Sequence, residues 1–326
     1  MPVGMRTEST CFLRDMIRWR TGKLVATVDT YDEFRRWAIR EGRDNAKGRP
    51  ELCSELGHLA RLYGKLTGTT GQHSDKRIEG SLQHLRAMGI DAHRPFTLRL
   101  LWDLSPDGGA NSTVDRTAKT LAAVSSWITR IWLADRSVNN FPRTFAELAH
   151  ARVPDGEQDR ARFWTRRIAD IRNEQTSVPS DEEVCKGVRL TSKYGGMDTR
   201  ATKAVLCAIN EDDSRGEAPP FDELTVEHIM PQTLSKGWHK HLGAEADKLH
   251  EQYLHRLGNL TLCGPRWGSA MSNHPFEKKK KIYRQSSIMM TRQLAELATW
   301  DEDAIKGRAD ELAEKALRLW PRPSGL

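Results

Sequence analysis

An acidic residue followed directly by a histidine occurs at Glu227 and His228, within the segment TVEHIMP (225–231). Two asparagines follow in order: Asn259 within LGNLTL (257–262), and Asn273 ahead of a lysine-rich segment. Side chains of adjacent strand residues point to opposite faces, so Glu227 can face a divalent metal ion while His228 faces a water molecule. The pattern predicts metal-assisted hydrolysis of a phosphodiester.

Each of these residues suits one part of that chemistry. A divalent metal ion neutralises charge in the transition state and assists the leaving oxygen, and a histidine can serve as general base for the attacking water. His228 is the predicted base because the ordinary pKa of histidine lies near neutrality. Glu227 is a hard oxygen ligand suited to Mg²⁺ or Mn²⁺. Asn273 is the predicted second protein ligand, and water and phosphate oxygens complete the shell.

Asn259 has no charge to offer a metal ion. We expect its amide to hydrogen-bond the backbone beside His228 and so hold the imidazole in position. Taken singly, these residues also have structural explanations, because an isolated Glu-His pair is commonly a surface pair or a half-buried histidine. Four histidines between the two motifs are predicted to be loop residues rather than ligands: His239, His241, His250 and His255.

The charge of the chain favours a polyanionic partner. The formal net charge is +7 and the isoelectric point is near 9.2, a balance found in many nucleic-acid-binding proteins. A basic run directly after the candidate catalytic segment is predicted to be a DNA-binding surface that contacts phosphates, although such a run can also be an ordinary solvated helix face. It consists of Lys278, Lys279, Lys280, Lys281 and Arg284.

Composition argues against several other classes of protein. Hydrophobic residues make up 38% of the chain and charged residues 29%, without a long biased tract that would indicate disorder. The five cysteines are scattered and form no CxxC pair, which argues against a disulfide framework or a structural zinc site. No apolar run approaches the roughly 18 residues of a membrane span, and the first 25 residues do not resemble a signal peptide, so a cytoplasmic location is expected.

The pattern of apolar residues predicts a mainly α-helical protein. Apolar residues recur at spacings of three and four along most of residues 9–220, as in the stripe of residues 112–136 from which Arg130 falls away. DSRGEAPP (213–220) is the predicted linker between a helical domain (1–215) and a nuclease domain (216–326). Predicted helices cover 30–41, 51–66, 76–88, 95–104, 112–136, 142–152, 157–174, 180–188, 199–210 and 300–320, with short strands at 224–229 and 258–263 and a further helix from about 275.

Four segments together resemble a known family. EHIMPQ (227–232), LGNLTL (257–262), SNHPFEKKKKIY (272–283) and a closing W-x4-I-x2-R pattern (300–308) are similar to the C-terminal HNH nuclease domain of GmrSD-type modification-dependent restriction proteins. Phosphorothioate-sensing defence nucleases share this architecture. The resemblance implies a small ββα-metal (HNH) module followed by C-terminal helices, which cleaves or nicks modified phage or foreign DNA.

The resemblance also implies a missing partner. Relatives carry an N-terminal nucleotide-hydrolysing domain that senses the modification, with a DGQQR-like motif, and no such motif occurs here. We therefore expect a sensor domain or subunit outside this chain. The helical half would then be a docking module, and in an alternative reading the nuclease is inactive without its sensor.

One position departs from the pattern of the relatives. They commonly carry an Asn as metal ligand nine residues after the Asn of GNLTL, where this chain has Gly268. Either Asn273, five residues later, takes over that role, or Glu227 and water molecules hold the ion alone. The departure keeps open a second alternative, a DNA-binding or regulatory protein with a degenerate nuclease site.

Overall fold

The computed structural model describes residues 7–106, 113–214, 219–264 and 273–323. Within these ranges the protein is mainly α-helical, as predicted. The first ten helices are α1 (Glu8–Thr21), α2 (Thr30–Arg40), α3 (Gly48–Thr67), α4 (Lys76–Met88), α5 (Arg94–Leu104), α6 (Val114–Leu133), α7 (Phe141–His150), α8 (Arg160–Ala169), α9 (Asp181–Leu190) and α10 (Gly196–Asp213). Helices α2 to α10 agree with the predicted helices to within a few residues at most ends. No individual helix was predicted at the position of α1.

Several helix boundaries follow from local chemistry. Thr7 caps α1 by accepting a hydrogen bond from the backbone N–H of Thr10, and the left-handed Gly22 ends that helix. Ser180 and Glu183 form a reciprocal capping box at the start of α9. These short-range signals explain why the sequence alone places the helices well.

The longest predicted amphipathic helix, α6, is buried on more sides than its sequence suggests. Arg130 was expected to fall outside the apolar stripe, but its side chain is 1% exposed. Its guanidinium donates to the backbone carbonyls of Pro179 and Trp320. These bonds satisfy the buried charge and tie α6 to two distant parts of the chain.

The described residues form three hydrophobic cores. The first lies among α1–α8 and includes Trp127 and Phe145. The second joins the end of α6, α9 and α10 to residues after 220, for example Val205 with Leu260. This second core contains residues from both sides of the domain boundary predicted at 215/216. The boundary remains a prediction.

The region after residue 219 contains a small two-stranded sheet. β1 (Thr225–His228) pairs antiparallel with β2 (Leu260–Cys263), so that Glu227 lies opposite Thr261 and His228 opposite Leu260. The segment between the strands, predicted to be a polar excursion, contains α11 (Lys236–Leu242) and α12 (Ala246–Tyr253). The remaining helices are α13 (Phe276–Tyr283), α14 (Met289–Arg292) and α15 (Glu302–Leu319).

The third core anchors these short helices beneath the sheet. It includes the fully buried Trp238 of α11, whose indole N–H donates to the carbonyl of His274, together with Phe276, Tyr283 and Trp300. The two strands are thereby held between helices on more than one side. None of the helices in the described ranges is long and apolar enough to cross a membrane.

Candidate active site

The end of β1 presents Glu227 and His228 to different neighbours. The Glu227 carboxylate lies against α13, where its Oε1 is 3.3 Å from Nζ of Lys279. The His228 ring instead lies against Tyr194 and His255. This divergence follows from the alternation of side chains along a strand.

Lys279 is buried, which corrects one part of the predicted DNA-binding surface. Its side chain is fully enclosed, and its ammonium group donates to the carbonyl of His228 at 2.8 Å as well as contacting Glu227. A buried ammonium group needs such partners because an unpaired one is costly. Lys279 therefore contacts the candidate catalytic strand from inside and does not face DNA.

Burial acts on both members of this pair. It raises the pKa of Glu227, and the positive charge of Lys279 opposes that effect. It likewise lowers the pKa of Lys279, and Glu227 opposes the shift. The Glu227 side chain keeps 19% of its surface exposed, so solvent can still reach this carboxylate.

The other members of the basic run lie nearer the surface. Lys278, Lys281 and Arg284 are exposed. Lys280 is half-buried, 3.6 Å from the carboxylate of Glu277. Their contact with DNA remains a prediction.

His228 is enclosed by other polar rings and amides. The residue is 3% exposed, and its Nε2 lies 3.1 Å from Nδ1 of His255. Its Nδ1 lies 3.4 Å from the side-chain amide nitrogen of Gln232. Burial, reinforced by the nearby His255, Lys279 and His250, lowers the pKa of His228 to about 3. The imidazole is therefore neutral near pH 7 and carries a lone pair. Its pKa lies well below the value near neutrality on which the prediction of a base rested, because burial disfavours the charged ring.

His255 lies in the turn after α12, as predicted, but its ring also contacts the candidate base. The other three histidines lie in α11 and α12 rather than in a loop, and they make other contacts. His239 binds Asp247, and His241 and His250 donate to the carbonyls of Trp300 and Pro231. In the sequence, His255 differs from the other three histidines only by its place two residues before LGNLTL. Its contact with His228 is a tertiary contact, made where the chain turns at Leu257–Asn259.

Asn259 is fully buried, and its amide bonds the backbone that follows His228. Oδ1 accepts from the N–H of Met230 at 2.8 Å, and Nδ2 donates to the carbonyl of Met230 at 3.0 Å. Nδ2 also donates to Leu254, and Oδ1 also accepts from the indole N–H of Trp300. The amide has thus used its two donors and two acceptor positions, leaving none for a metal ion. That these bonds position His228 for catalysis remains a proposal.

The comparison with known protein families now bears on this arrangement. The model of the family described as GmrSD restriction endonucleases, C-terminal domain, matches residues 179–315. This match confirms the predicted resemblance to the GmrSD C-terminal domain over residues 179–315. The match includes both strands, α13 and most of α15, and thus every candidate site residue. A search of the curated proteins found no match to the chain.

The matched region includes most of α15, which supports the Asn259 segment. The buried Arg308 donates to the carbonyls of Gly258 and Leu260 at 2.9 and 2.7 Å. Gly258 lies so near α15 that an added Cβ would be 2.5 Å from the carbonyl oxygen of Ile305. The glycine of LGNLTL is therefore required by close approach, and the W-x4-I-x2-R pattern marks the residues that hold the motif.

The matched region also contributes site residues from before the predicted domain boundary. Tyr194 stacks on the ring of His255, with centroids 5.5 Å apart and planes 9° apart, and its ring meets that of His228 edge-on at 4.4 Å. The backbone N–H of Lys193 donates to the carbonyl of His255. No sequence motif indicated these two residues.

The described residues of the matched region offer few donors for a metal ion. In the described ranges no group of three or more His, Cys, Asp or Glu residues could hold a metal ion. Glu227 supplies a reachable carboxylate, and Asn273 is exposed at the start of the α13 segment, although no described hydrogen bond joins the two. These oxygen donors fit Mg²⁺ or Mn²⁺, since Mg²⁺ usually keeps several of its waters. Gly268 lies outside the described residues.

Proposed function

We propose that this chain is a divalent-metal-dependent DNA endonuclease of the HNH type, acting in a restriction system against phage or other foreign DNA. The observation that carries the proposal is the end of β1, where Glu227 and a neutral His228 diverge and Asn259 fixes the next residues. The match of residues 179–315 to a family of restriction endonucleases supports it.

The residues divide the work of hydrolysis. Neutral His228 accepts a proton from the attacking water, and the hydrogen bonds of Asn259 to Met230 keep the strand end in place. Glu227 and Asn273 would hold Mg²⁺ or Mn²⁺. When bound, that ion supplies charge neutralisation at the phosphate and help for the leaving oxygen. Lys279 holds the carbonyl of His228 and the carboxylate of Glu227 in a fixed relation.

The substrate would be bound along the exposed side of α13. Lys278, Lys281 and Arg284 are exposed there and can contact phosphates. A single site attacks one strand at a time, so nicking is the expected product of one monomer. Selection of modified DNA would depend on a sensor domain or subunit with which this chain acts.

A plasmid assay tests the assignment of the base. We expect the wild-type protein to convert supercoiled plasmid to the nicked form with Mg²⁺ or Mn²⁺ and to lose this activity in EDTA. His228→Ala removes the proton acceptor and should reduce nicking by at least about a hundredfold, while DNA binding in a gel-shift assay persists.

His239→Ala is the matched control, because His239 is an exposed histidine of the same region. It should nick at the wild-type rate. Full activity of His228→Ala would overturn the assignment of the base, and metal-independent nicking would overturn the proposed chemistry.

The contact of Lys279 with Glu227 favours one alternative, a DNA-binding protein with a degenerate nuclease site. The carboxylate already has a cation at 3.3 Å, and the metal ligand of relatives is replaced by Gly268. Calorimetric titration with Mn²⁺ in the presence of DNA separates the two functions. Binding of DNA without binding of Mn²⁺, together with an inactive plasmid assay, would favour the alternative.

A further inference from the structure

Three rings meet at the end of β1 and bury one edge of the candidate base. Nε2 of His228 is covered by His255, whose Nδ1 lies 3.1 Å away. The ring nitrogen that does not face His255 is Nδ1, so an attacking water would have to use Nδ1. A nitrogen accepts a proton only if it carries the lone pair, so the position of the single proton on the neutral ring decides whether His228 can act.

The neighbours of His228 favour the neutral tautomer in which Nε2 carries the proton and Nδ1 carries the lone pair. The side-chain amide nitrogen of Gln232 faces Nδ1 at 3.4 Å, and an amide N–H can only donate. Nδ1 is then the acceptor, which places the proton of the neutral ring on Nε2, where it points at Nδ1 of His255. Gln232 is exposed, so a water molecule can displace it from Nδ1.

We propose that His255 is a positioning residue that sets the tautomer of His228. Its Nδ1 accepts the Nε2–H of His228 and leaves Nδ1 of His228 free to take a proton. The inference rests on the proposed role of His228 as base. In the reaction, the water oxygen forms the new bond to phosphorus, the water proton moves to Nδ1 of His228, and the bond to the leaving oxygen breaks. The resulting imidazolium keeps its Nε2–H bond to His255.

The surroundings of His255 fix this acceptor in place. Its ring stacks on Tyr194, nearly parallel. Its carbonyl accepts from the backbone N–H of Lys193 at 2.7 Å, and Ser192 forms a bridge to Arg256. Nζ of Lys193 in turn donates to the carbonyl of Trp132 at 2.8 Å and to Asp135 at 3.1 Å. Stacking and backbone bonds thus hold both the plane and the position of the ring.

Two substitutions separate the hydrogen bond from the stacking. His255→Phe keeps an aromatic ring against Tyr194 but has no acceptor. His255→Asn loses the stacking ring but can place an amide oxygen near the former Nδ1. The tautomer of His228 is measured at neutral pH by long-range ¹H–¹⁵N correlation in histidine-labelled protein without metal, with the signals assigned from a His228→Gln spectrum.

We expect His228 to be protonated at Nε2 in the wild type and in His255→Asn, and to populate both tautomers in His255→Phe. In the plasmid assay, His255→Phe should lower the nicking rate at saturating DNA by about tenfold or more. Its KM for plasmid should stay unchanged, and His255→Asn should recover most of the loss. Thermal melting confirms that each variant is folded.

Two results would overturn the inference: a wild-type His228 protonated at Nδ1, or a His255→Phe protein that keeps the Nε2–H form and the full rate. An inactive wild-type protein would instead count against the proposed function. The NMR measurement needs no activity, so it still decides whether His255 sets the tautomer.

Discussion

At the scale of single residues, Lys279 shows that neighbouring lysines of one helix can have different environments. The four consecutive lysines of α13 have the same chemistry, but only Lys279 is fully buried. Its position follows from the helical period, since Phe276, Lys279 and Tyr283 lie three and four residues apart and are buried together. That spacing was the signal in the sequence which could have separated Lys279 from its neighbours.

Lys279→Met and Lys278→Met form a matched pair for testing this difference. Lys279→Met should lower the free energy of unfolding by about 1–3 kcal/mol, because the His228 carbonyl and the Glu227 carboxylate lose a buried donor. Lys278→Met, at an exposed position, should change it by less than about 0.5 kcal/mol. Urea denaturation measures both.

The same pair should behave in the opposite way toward DNA. Removing a lysine that contacts a phosphate lowers the salt dependence of binding by about one ion. We expect that loss for Lys278→Met and not for Lys279→Met. An equal loss of salt dependence in both variants would show that Lys279 does reach the phosphates.

The candidate site was predictable where its residues lie within short motifs. Glu227, His228 and Asn259 could be proposed from the sequence because the strand period and the types of residue are local properties. His255 and Tyr194 were not found, since their roles depend on contacts with residues distant in sequence. Tyr194 is brought to His228 by backbone bonds between the loop after α9 and the turn before β2, and no pattern in either segment predicts those bonds.

At the scale of elements, the close contact between α15 and the turn before β2 controls the placement of Asn259. Gly258 sits where a Cβ would be 2.5 Å from the Ile305 carbonyl oxygen and 3.1 Å from Cβ of Ala309. Gly307, on α15 itself, has open space around it. The two glycines therefore predict opposite effects of the same substitution.

Gly258→Ala should destabilise the protein by about 1–3 kcal/mol, because backbone must move to admit the methyl group. Gly307→Ala should be neutral or stabilising by up to about 1 kcal/mol, since alanine is the better helix former. Thermal denaturation of both variants provides the comparison. A Gly258→Ala protein as stable as the wild type would show that the turn and the helix can separate at little cost.

The helices and strands themselves were largely predicted, since apolar periodicity, capping residues and helix-breaking residues can be read from each segment by itself. The exceptions are α1, the four-residue α14, and α11 and α12. The last two lie in a segment rich in polar residues and histidines, in which no helical pattern was recognised. Both helices of this segment are short, and α11 is held mainly by the buried Trp238. Tertiary packing rather than local propensity stabilises such elements.

At the scale of the whole molecule, buried charged and polar groups tie the core of the first eight helices to the parts around the site. Arg130 joins α6 to Pro179, two residues before α9, and to Trp320 at the end of α15. Lys193 joins the loop after α9 to the end of α6, where Asp135 takes a left-handed backbone conformation. Such groups make the folded state sensitive to pH when one of them is a histidine.

His93 supplies that sensitivity within the first core. It is 2% exposed, and burial lowers its pKa to about 3. The unfolded chain, with an ordinary pKa near 6.5, takes up a proton first as the pH falls. The stabilisation is therefore complete above about pH 6.5 and is lost as the pH falls toward 3. This single group should cost on the order of 2 kcal/mol between pH 7 and pH 5.

His93→Asn removes the titrating ring and should make the decline of stability between pH 7 and pH 5 shallower by about that amount. His239→Gln, at an exposed position, should leave the large decline in place. Urea denaturation at several pH values measures the slopes. Equal slopes in the wild type and His93→Asn would contradict a neutral, buried His93.

The stacking of Tyr194 on His255 limits how the proposed nuclease could be exchanged between restriction systems. A gene segment that encoded only the strands and α13 would carry Glu227, His228 and Asn259 but would lack Tyr194 and Lys193, which lie beside the candidate base. A recombination event that transfers a working site must therefore begin upstream of those residues. The family match begins at residue 179, ahead of both. We expect natural chimaeras of such nucleases to be joined before α9 rather than at the proline-containing linker.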